Sequence, residues 1–171
     1  MNPHYWLNRW QENEIAFHEA ETNPGLTKYF KTLTLKQSSR VFVPLCGKTL
    51  DIAWLLANGY HITGIDLSEV AIKQLFITLG VQANIINLGK VTRYSAQNID
   101  IFVGNIFDLS YELLGAVDGI YDRAALVALP KEMRQRYTAH LKTITNNAPQ
   151  LLISYEYNQS LMEGPPFFSP S

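Results

Sequence analysis

VFVPLCGKTLDIAWLLANGYHITGID, from Val41 to Asp66, decides the fold. Val41-Phe42-Val43 is a short β-branched and aromatic run, which reads as a strand. From Thr49 to Ala57 the apolar residues Leu50, Ala53, Trp54 and Ala57 fall at the spacing of one helical face. Asn58-Gly59 closes that helix, with Gly59 suited to a left-handed position just past its end. His61 to Asp66 is a second strand. Strand, helix, strand in this order predicts a right-handed parallel crossover, and so an open α/β sheet.

Gly47-Lys48-Thr49 is how a phosphate-binding P-loop ends. Such a loop needs an earlier glycine where this chain has Phe42, inside the strand, and Pro44 to Gly47 is too short to wrap two phosphates. A dinucleotide turn is also missing, because the turn holds a single glycine. What remains is a short turn at the carboxyl end of a first strand, where doubly wound sheets bind their ligands. Gly47 there permits close backbone approach or a positive φ. Asp66 ends the second strand, where a carboxylate can grip two ribose hydroxyls; its competing reading is a cap on the helix after Ser68. Together these residues point to a nucleoside-type site.

The alternation continues outward. Ser68 is placed to cap a helix from Glu69 to Leu79 that closes at Gly80. Val91 to Val103 carries two extended patterns, read as a hairpin-like excursion whose second arm, Ile99 to Val103, is the third strand. Val117 to Asp122 is the fourth strand, a helix begins at Pro130 and continues through Met133 to Thr143, and Leu151 to Glu156 is the fifth strand. Ahead of the first strand, Asn2-Pro3 opens a helical pattern reaching about His18, and Asn23-Pro24 opens a shorter one. The expected architecture is one domain over 1–171: a helical cap (1–36), a doubly wound, mostly parallel Rossmann-like core (37–160) and a tail (161–171).

Composition narrows the function. Of 171 residues, 47% are hydrophobic and 17% charged, which describes a folded globular chain. A net charge of −1 argues against a nucleic-acid partner. No run approaches an apolar membrane span, and the N-terminus lacks the apolar core of a signal peptide. One cysteine, Cys46, rules out an internal disulfide and fits the reducing cytoplasm, the expected location. The four histidines show no metal-ligand spacing, so no metal is expected.

Three stretches carry a resemblance: NPHYWLNRWQENEIAFHEAETNPGLTKYF, the central unit VFVPLCGKTLDIAWLLANGYHITGIDLSEVAI, and YDRAALVALPKEMRQRY. They resemble the thiopurine S-methyltransferase family in its bacterial branch, from Met1 to Phe167. That resemblance implies a class I methyltransferase fold with S-adenosyl-L-methionine as cofactor. It places the methionine end of the cofactor, not a polyphosphate, on the central turn.

The same resemblance implies residue roles. Trp10 lies over the cofactor, where an indole face also favours a positive sulfur; read alone, it is an apolar lid contact. Leu45 offers its carbonyl to the ligand ammonium beside Gly47, and Asp66 takes the ribose where relatives more often carry Glu. Asn105 stands where the family has Asp, keeping an acceptor oxygen for the adenine amino group without the charge, and Ile106 flanks the ring. Arg123 is a cofactor and substrate position suited to an anionic acceptor. Its competing reading is an Asp-Arg pair bracing the strand end. Phe17 matches a substrate contact. No residue is assigned as catalytic. The implied reaction is methyl transfer to the sulfur of an aromatic or heterocyclic thiol, thiopurine-like, with selenium and tellurium compounds as further acceptors. Expulsion of a neutral thioether needs no acid, so catalysis rests on alignment. Cys46 reads as packing, His18 as either a pocket or a surface residue, and Lys131, Arg134 and Arg136 as a solvated helix face.

The family pattern runs beyond Gly164-Pro165-Pro166-Phe167 into two further strands, whereas this chain ends Phe168-Ser169-Pro170-Ser171. The expectation is therefore a sheet whose last two strands are missing. The strand over 151–156 becomes an edge open to homodimer pairing. A second substrate arginine belongs to the missing part. The alternative function is thus a catalytically weak protein that binds S-adenosylmethionine or its demethylated product.

Overall fold

In the computed structural model, which describes residues 2–167, two proline-led helices come first. Helix α1 (Pro3–Gln11) starts where Asn2 Oδ1 accepts from the His4 N–H at 3.0 Å, and α2 (Pro24–Tyr29) where Asn23 Oδ1 accepts from Gly25 at 2.8 Å. Asparagine before proline supplies the cap acceptor and the preset φ together. The decisive stretch forms β1 (Arg40–Pro44), α3 (Asp51–Ala57) and β2 (His61–Asp66). Helix α4 (Glu69–Leu79) is capped by Ser68 Oγ on the Ala71 N–H at 3.1 Å and stops at Gly80, φ +68°. There follow β3 (Asn84–Asn87), β4 (Thr92–Ala96), β5 (Ile99–Val103), α5 (Tyr111–Leu114), β6 (Gly119–Arg123), α6 (Lys131–Thr145) and β7 (Gln150–Ile153).

The seven strands stand in the order β3-β4-β5-β2-β1-β6-β7. The block β5-β2-β1-β6-β7 is parallel, and β3 and β4 add to its β5 side as an antiparallel meander. β1 and β2 are buried along almost their whole length, which explains the unbroken apolar run Val41–Val43 in β1. Their alternate residues feed two cores. Val41, Val43 and Ile62 pack with Leu26, Phe30, Ile52, Leu55 and Ile72 on one face. Phe42 and Ile65 pack with Phe102, Ile120, Tyr137 and Leu141 on the other. Each fully buried aliphatic or aromatic side chain contributes about 1.5–3 kcal/mol. Among the described residues no helix is long and apolar enough to cross a membrane.

The structure corrects several boundaries. Helix α1 stops at Gln11 rather than near His18, because Asn13 takes a positive φ of 57° and turns the chain back. The excursion is a full hairpin, with Tyr94 opposite Ile101, and β3 ahead of it was not foreseen. The fourth strand is shifted to Gly119–Arg123. The fifth ends at Ile153, not Glu156. Among the described residues β7 pairs on one side only, with β6, and Leu152 is 39% exposed. Two of the seven strands are the β3–β4 meander at the opposite edge. On the helix face expected to be solvated, Lys131 and Arg136 are exposed, the Arg136 guanidinium lying 3.9 Å from the Phe107 ring centre, whereas Arg134 is half-buried and its Nε donates to the Leu129 carbonyl at 2.8 Å. The end of the tail, 168–171, lies outside the described residues.

Candidate active site

The carboxyl ends of β1, β2, β5 and β6 open into one cleft of about 470 Å³, roofed by α1 and the segment after it. Trp10, Phe17, Leu45, Gly47, Asp66, Asn105, Ile106 and Arg123 all line it, although they are scattered over more than a hundred positions of sequence.

The turn after β1 is wound tightly. Leu45 and Gly47 both take positive φ, 47° and 50°. The Gly47 N–H donates to Asp66 Oδ2 at 2.8 Å, and the Ser68 N–H donates to Asp66 Oδ1 at 2.9 Å. Asp66 therefore ties the first turn to the start of α4, which is its capping reading. Burial pushes its carboxyl above the usual range, against the N–H groups of Ser68, Gly47 and Leu67. Each oxygen keeps acceptor capacity beyond the one bond it makes, which suits ribose hydroxyls.

Gly47 serves a second purpose. A Cβ there would lie 2.7 Å from Trp10 Cζ2, so the missing side chain is the space the indole fills. Trp10 meets Phe17 edge to face at 5.4 Å, and Phe17 meets Trp6 at 5.5 Å. This aromatic stack is the lid of the cleft. Beneath it Cys46 is buried, and burial pushes its thiol well up, so it packs and does not react.

Asn105 starts the single helical turn Ile106–Asp108, its Oδ1 accepting from the Phe107 N–H at 3.0 Å. The oxygen expected to meet an adenine amino group thus already accepts one bond and keeps a single lone pair, and the other end of the amide is a donor. Ile106 is buried, and its carbonyl lies 2.7 Å from His140 Nε2.

Arg123 is built in rather than reaching out. Its Nε donates to Asp51 Oδ2 at 3.2 Å, its Nη2 to Thr49 Oγ1 at 2.9 Å, and its Nη1 lies 3.7 Å from Glu19 Oε1. Asp51, 1% exposed, also accepts from the Asn23 N–H at 2.8 Å and the Tyr121 hydroxyl at 2.9 Å. The bracing pair is real, but its partner is not the neighbouring Asp122. Successive strand residues point to opposite faces, and Asp122 accepts instead from the Tyr137 hydroxyl at 2.6 Å. Sequence reasoning missed Asp51, Thr49 and Glu19. An acid at the first position of a helix reads as a dipole partner, and only its burial reveals the network. His18 lines the cleft, where burial, Lys48 and Arg123 lower its pKa.

Residues 1–171 match the family described as thiopurine S-methyltransferase (TPMT). The thiopurine S-methyltransferase of Xanthobacter autotrophicus is 52% identical over 171 residues, 99% of this chain and 80% of that protein. The chain belongs to the thiopurine S-methyltransferase family. The Acinetobacter baylyi member is 50% identical, over 98% of this chain and 79% of that one. Among solved structures, the Burkholderia thailandensis 1,6-didemethyltoxoflavin-N1-methyltransferase with bound S-adenosylhomocysteine shares the fold. Its TM-score is 0.65 at 16% identity, covering 91% of this chain and 62% of that one. A member of the thiopurine S-methyltransferase family is an S-adenosylmethionine-dependent methyltransferase, and the cleft fits that cofactor. Its floor is a tight glycine turn covered by the Trp10 indole, an acid with spare acceptor capacity ends the second strand, and an apolar residue with a polar neighbour follows the third parallel strand.

Proposed function

We propose that the acceptor is the sulfur of an aromatic or heterocyclic thiol of thiopurine type. One observation carries this reading: the cleft over the cofactor residues is closed by flat aromatic surfaces, Trp6, Trp10 and Phe17. A planar, polarisable ring bearing sulfur is the acceptor such walls favour. Selenium and tellurium compounds, softer nucleophiles of the same kind, suit the same cleft.

S-Adenosylmethionine supplies an electrophilic methyl group when bound. Trp10 and the Gly47 turn hold its amino-acid end, with the Leu45 carbonyl as partner for the ammonium. Asp66 orients the ribose, while Asn105 and Ile106 hold the base. Phe17 faces the acceptor ring. Trp10 and Phe17 exclude water from the line of transfer, so the chain contributes proximity and orientation. Arg123 fixes the floor of the cleft through Asp51 and Thr49 and lends positive potential to a thiolate.

A second reading, binding with weak turnover, is favoured by that same network: Asp51 and Glu19 both lie against the Arg123 guanidinium, which offsets its charge. The open edge of β7 supports pairing between two copies. A small-molecule substrate, no nucleic-acid partner and a cytoplasmic location complete the proposal, supported by the net charge of −1 and the lone buried Cys46.

The test is incubation with S-adenosylmethionine and a heterocyclic thiol, following S-methyl product and S-adenosylhomocysteine by chromatography. Thiol-dependent formation of both supports the thiol reading. Binding of S-adenosylhomocysteine with no product from any thiol supports the second.

A further inference from the structure

The two carboxylates that line the cleft both hold donors from the protein. Both Asp51 oxygens are taken, by Asn23 on one side and by Tyr121 and Arg123 on the other. Asp66 holds the N–H groups of Gly47 and Ser68. The Tyr121 hydroxyl is spent on Asp51, and Lys48, a donor only, is bonded to Gln74 at 2.9 Å. His18 is different. It follows Phe17 directly, it lines the same cleft, and its backbone is fixed by the His18 N–H donating to the Ile15 carbonyl at 2.8 Å. No hydrogen bond of its ring is recorded among the described residues. The charged groups acting on it are Lys48 and Arg123, which disfavour the imidazolium, and Glu19 and Asp51, which favour it less. Burial, the largest cause, adds to the lowering, which keeps the ring neutral at neutral pH with a lone pair on one nitrogen.

We propose that His18 is a catalytic residue that accepts the proton of acceptors entering as neutral thiols; the inference rests on the thiol-methylation reading. The thiol sulfur's electron pair forms the new S–CH3 bond, and the pair of the broken C–S bond stays on the donor's own sulfur. The S–H proton passes to the open imidazole nitrogen and from there to water. An acceptor already ionised in solution has no proton to give and gains nothing from His18. The residue therefore widens the acceptor range from acidic heterocyclic thiols to weakly acidic ones.

His18→Gln keeps a polar side chain and removes the base. The experiment compares wild type and His18→Gln on two aryl thiols. One is mostly ionised at pH 7 and the other mostly neutral, and kcat/KM is followed against pH. The expected result is a loss of about 10²-fold for the neutral thiol, a change of less than about threefold for the ionised one, and unchanged S-adenosylhomocysteine affinity. Wild-type kcat/KM for the neutral thiol should also rise with pH through an ionisation below the ordinary histidine value, and the variant should lose that limb. Equal losses on both thiols, or no loss on either, overturn the role of His18 and leave thiol methylation standing. If His18→Gln does not fold, His18→Asn and the wild-type pH profile decide in its place; a profile without the low-pH limb overturns the role. Wild type inactive on both thiols would remove the underlying reading and this proposal with it.

Discussion

Arg123 Nε and Asp51 Oδ2 lie 3.2 Å apart in a pair whose side chains are 7% and 1% exposed, joining the end of β6 to the first residue of α3. The pair bridges 72 positions of sequence. It locks the fourth parallel strand to the helix that follows the glycine turn. Removing one partner from such a pair leaves a buried charge uncompensated, which costs about 3–5 kcal/mol. Asp51→Ala also strands the Asn23 N–H and the Tyr121 hydroxyl. We expect it to lower unfolding free energy by at least that range in urea titration, with Asp51→Asn milder. A loss under about 1 kcal/mol would mean that the pair behaves like a surface one.

Gly47 is predicted to tolerate no side chain. Alanine there faces both the positive φ and the 2.7 Å approach to Trp10. Gly47→Ala should displace the indole and weaken S-adenosylhomocysteine binding by about tenfold or more, roughly 1.4 kcal/mol. Trp10→Ala should weaken it comparably. Calorimetric titration of each variant reports both; an unchanged affinity in Gly47→Ala would show that the lid does not close on the ligand.

In the proposed site Asn105 offers the adenine amino group only the remaining lone pair of an oxygen that already accepts from Phe107, and it carries no charge. Asn105→Asp keeps the Phe107 cap through one oxygen and supplies a second oxygen as acceptor. Hydrogen bonds to a charged group contribute about 1.5–3 kcal/mol. The variant should therefore bind S-adenosylhomocysteine about tenfold more tightly. It should bind the 6-oxo analogue S-inosylhomocysteine no better than wild type. Equal gains for both nucleosides would place the base elsewhere.

Asp122 is fully buried, and burial lifts its pKa from 3.8 to about 6 despite the donors Tyr137, Leu126 and Ala125. A carboxyl raised on folding contributes stability that is complete below its unfolded pKa and lost as pH rises through the folded value. The window is therefore about pH 4 to 6, and the loss is on the order of 3 kcal/mol. Asp122→Asn should remove this slope, so the stability difference between variant and wild type should shift in the variant's favour as pH rises. A difference independent of pH over that window would contradict the shift.

Sequence pattern foretold the site's skeleton better than its wiring. Strand, turn, helix and strand from Val41 to Asp66 were legible because the β-branched and aromatic run of β1, the helical spacing up to Ala57 and the stop at Asn58-Gly59 follow one another without a gap. The strand β3 was not, since Asn84-Ile85-Ile86-Asn87 is exposed at every position and offers no buried alternation. Trp10, Gly47 and Asp66 could be named from motif, and the structure brings them together; that Gly47 is the seat of Trp10 needed coordinates. Arg123 reads from sequence both as a cofactor and substrate position and as half of an Asp-Arg brace, without the right partner. Its commitment to Asp51 depends on which face of β6 it occupies and on a helix start 72 positions away, neither visible locally.

The claim that this cleft holds the methyl donor is tested most directly by calorimetric titration of S-adenosylhomocysteine into the 171-residue chain, with Asp66→Ala alongside. The account predicts one site per chain at micromolar affinity, about −8 kcal/mol, and at least tenfold weaker binding in the variant. No binding by wild type, or binding indifferent to Asp66, would contradict it.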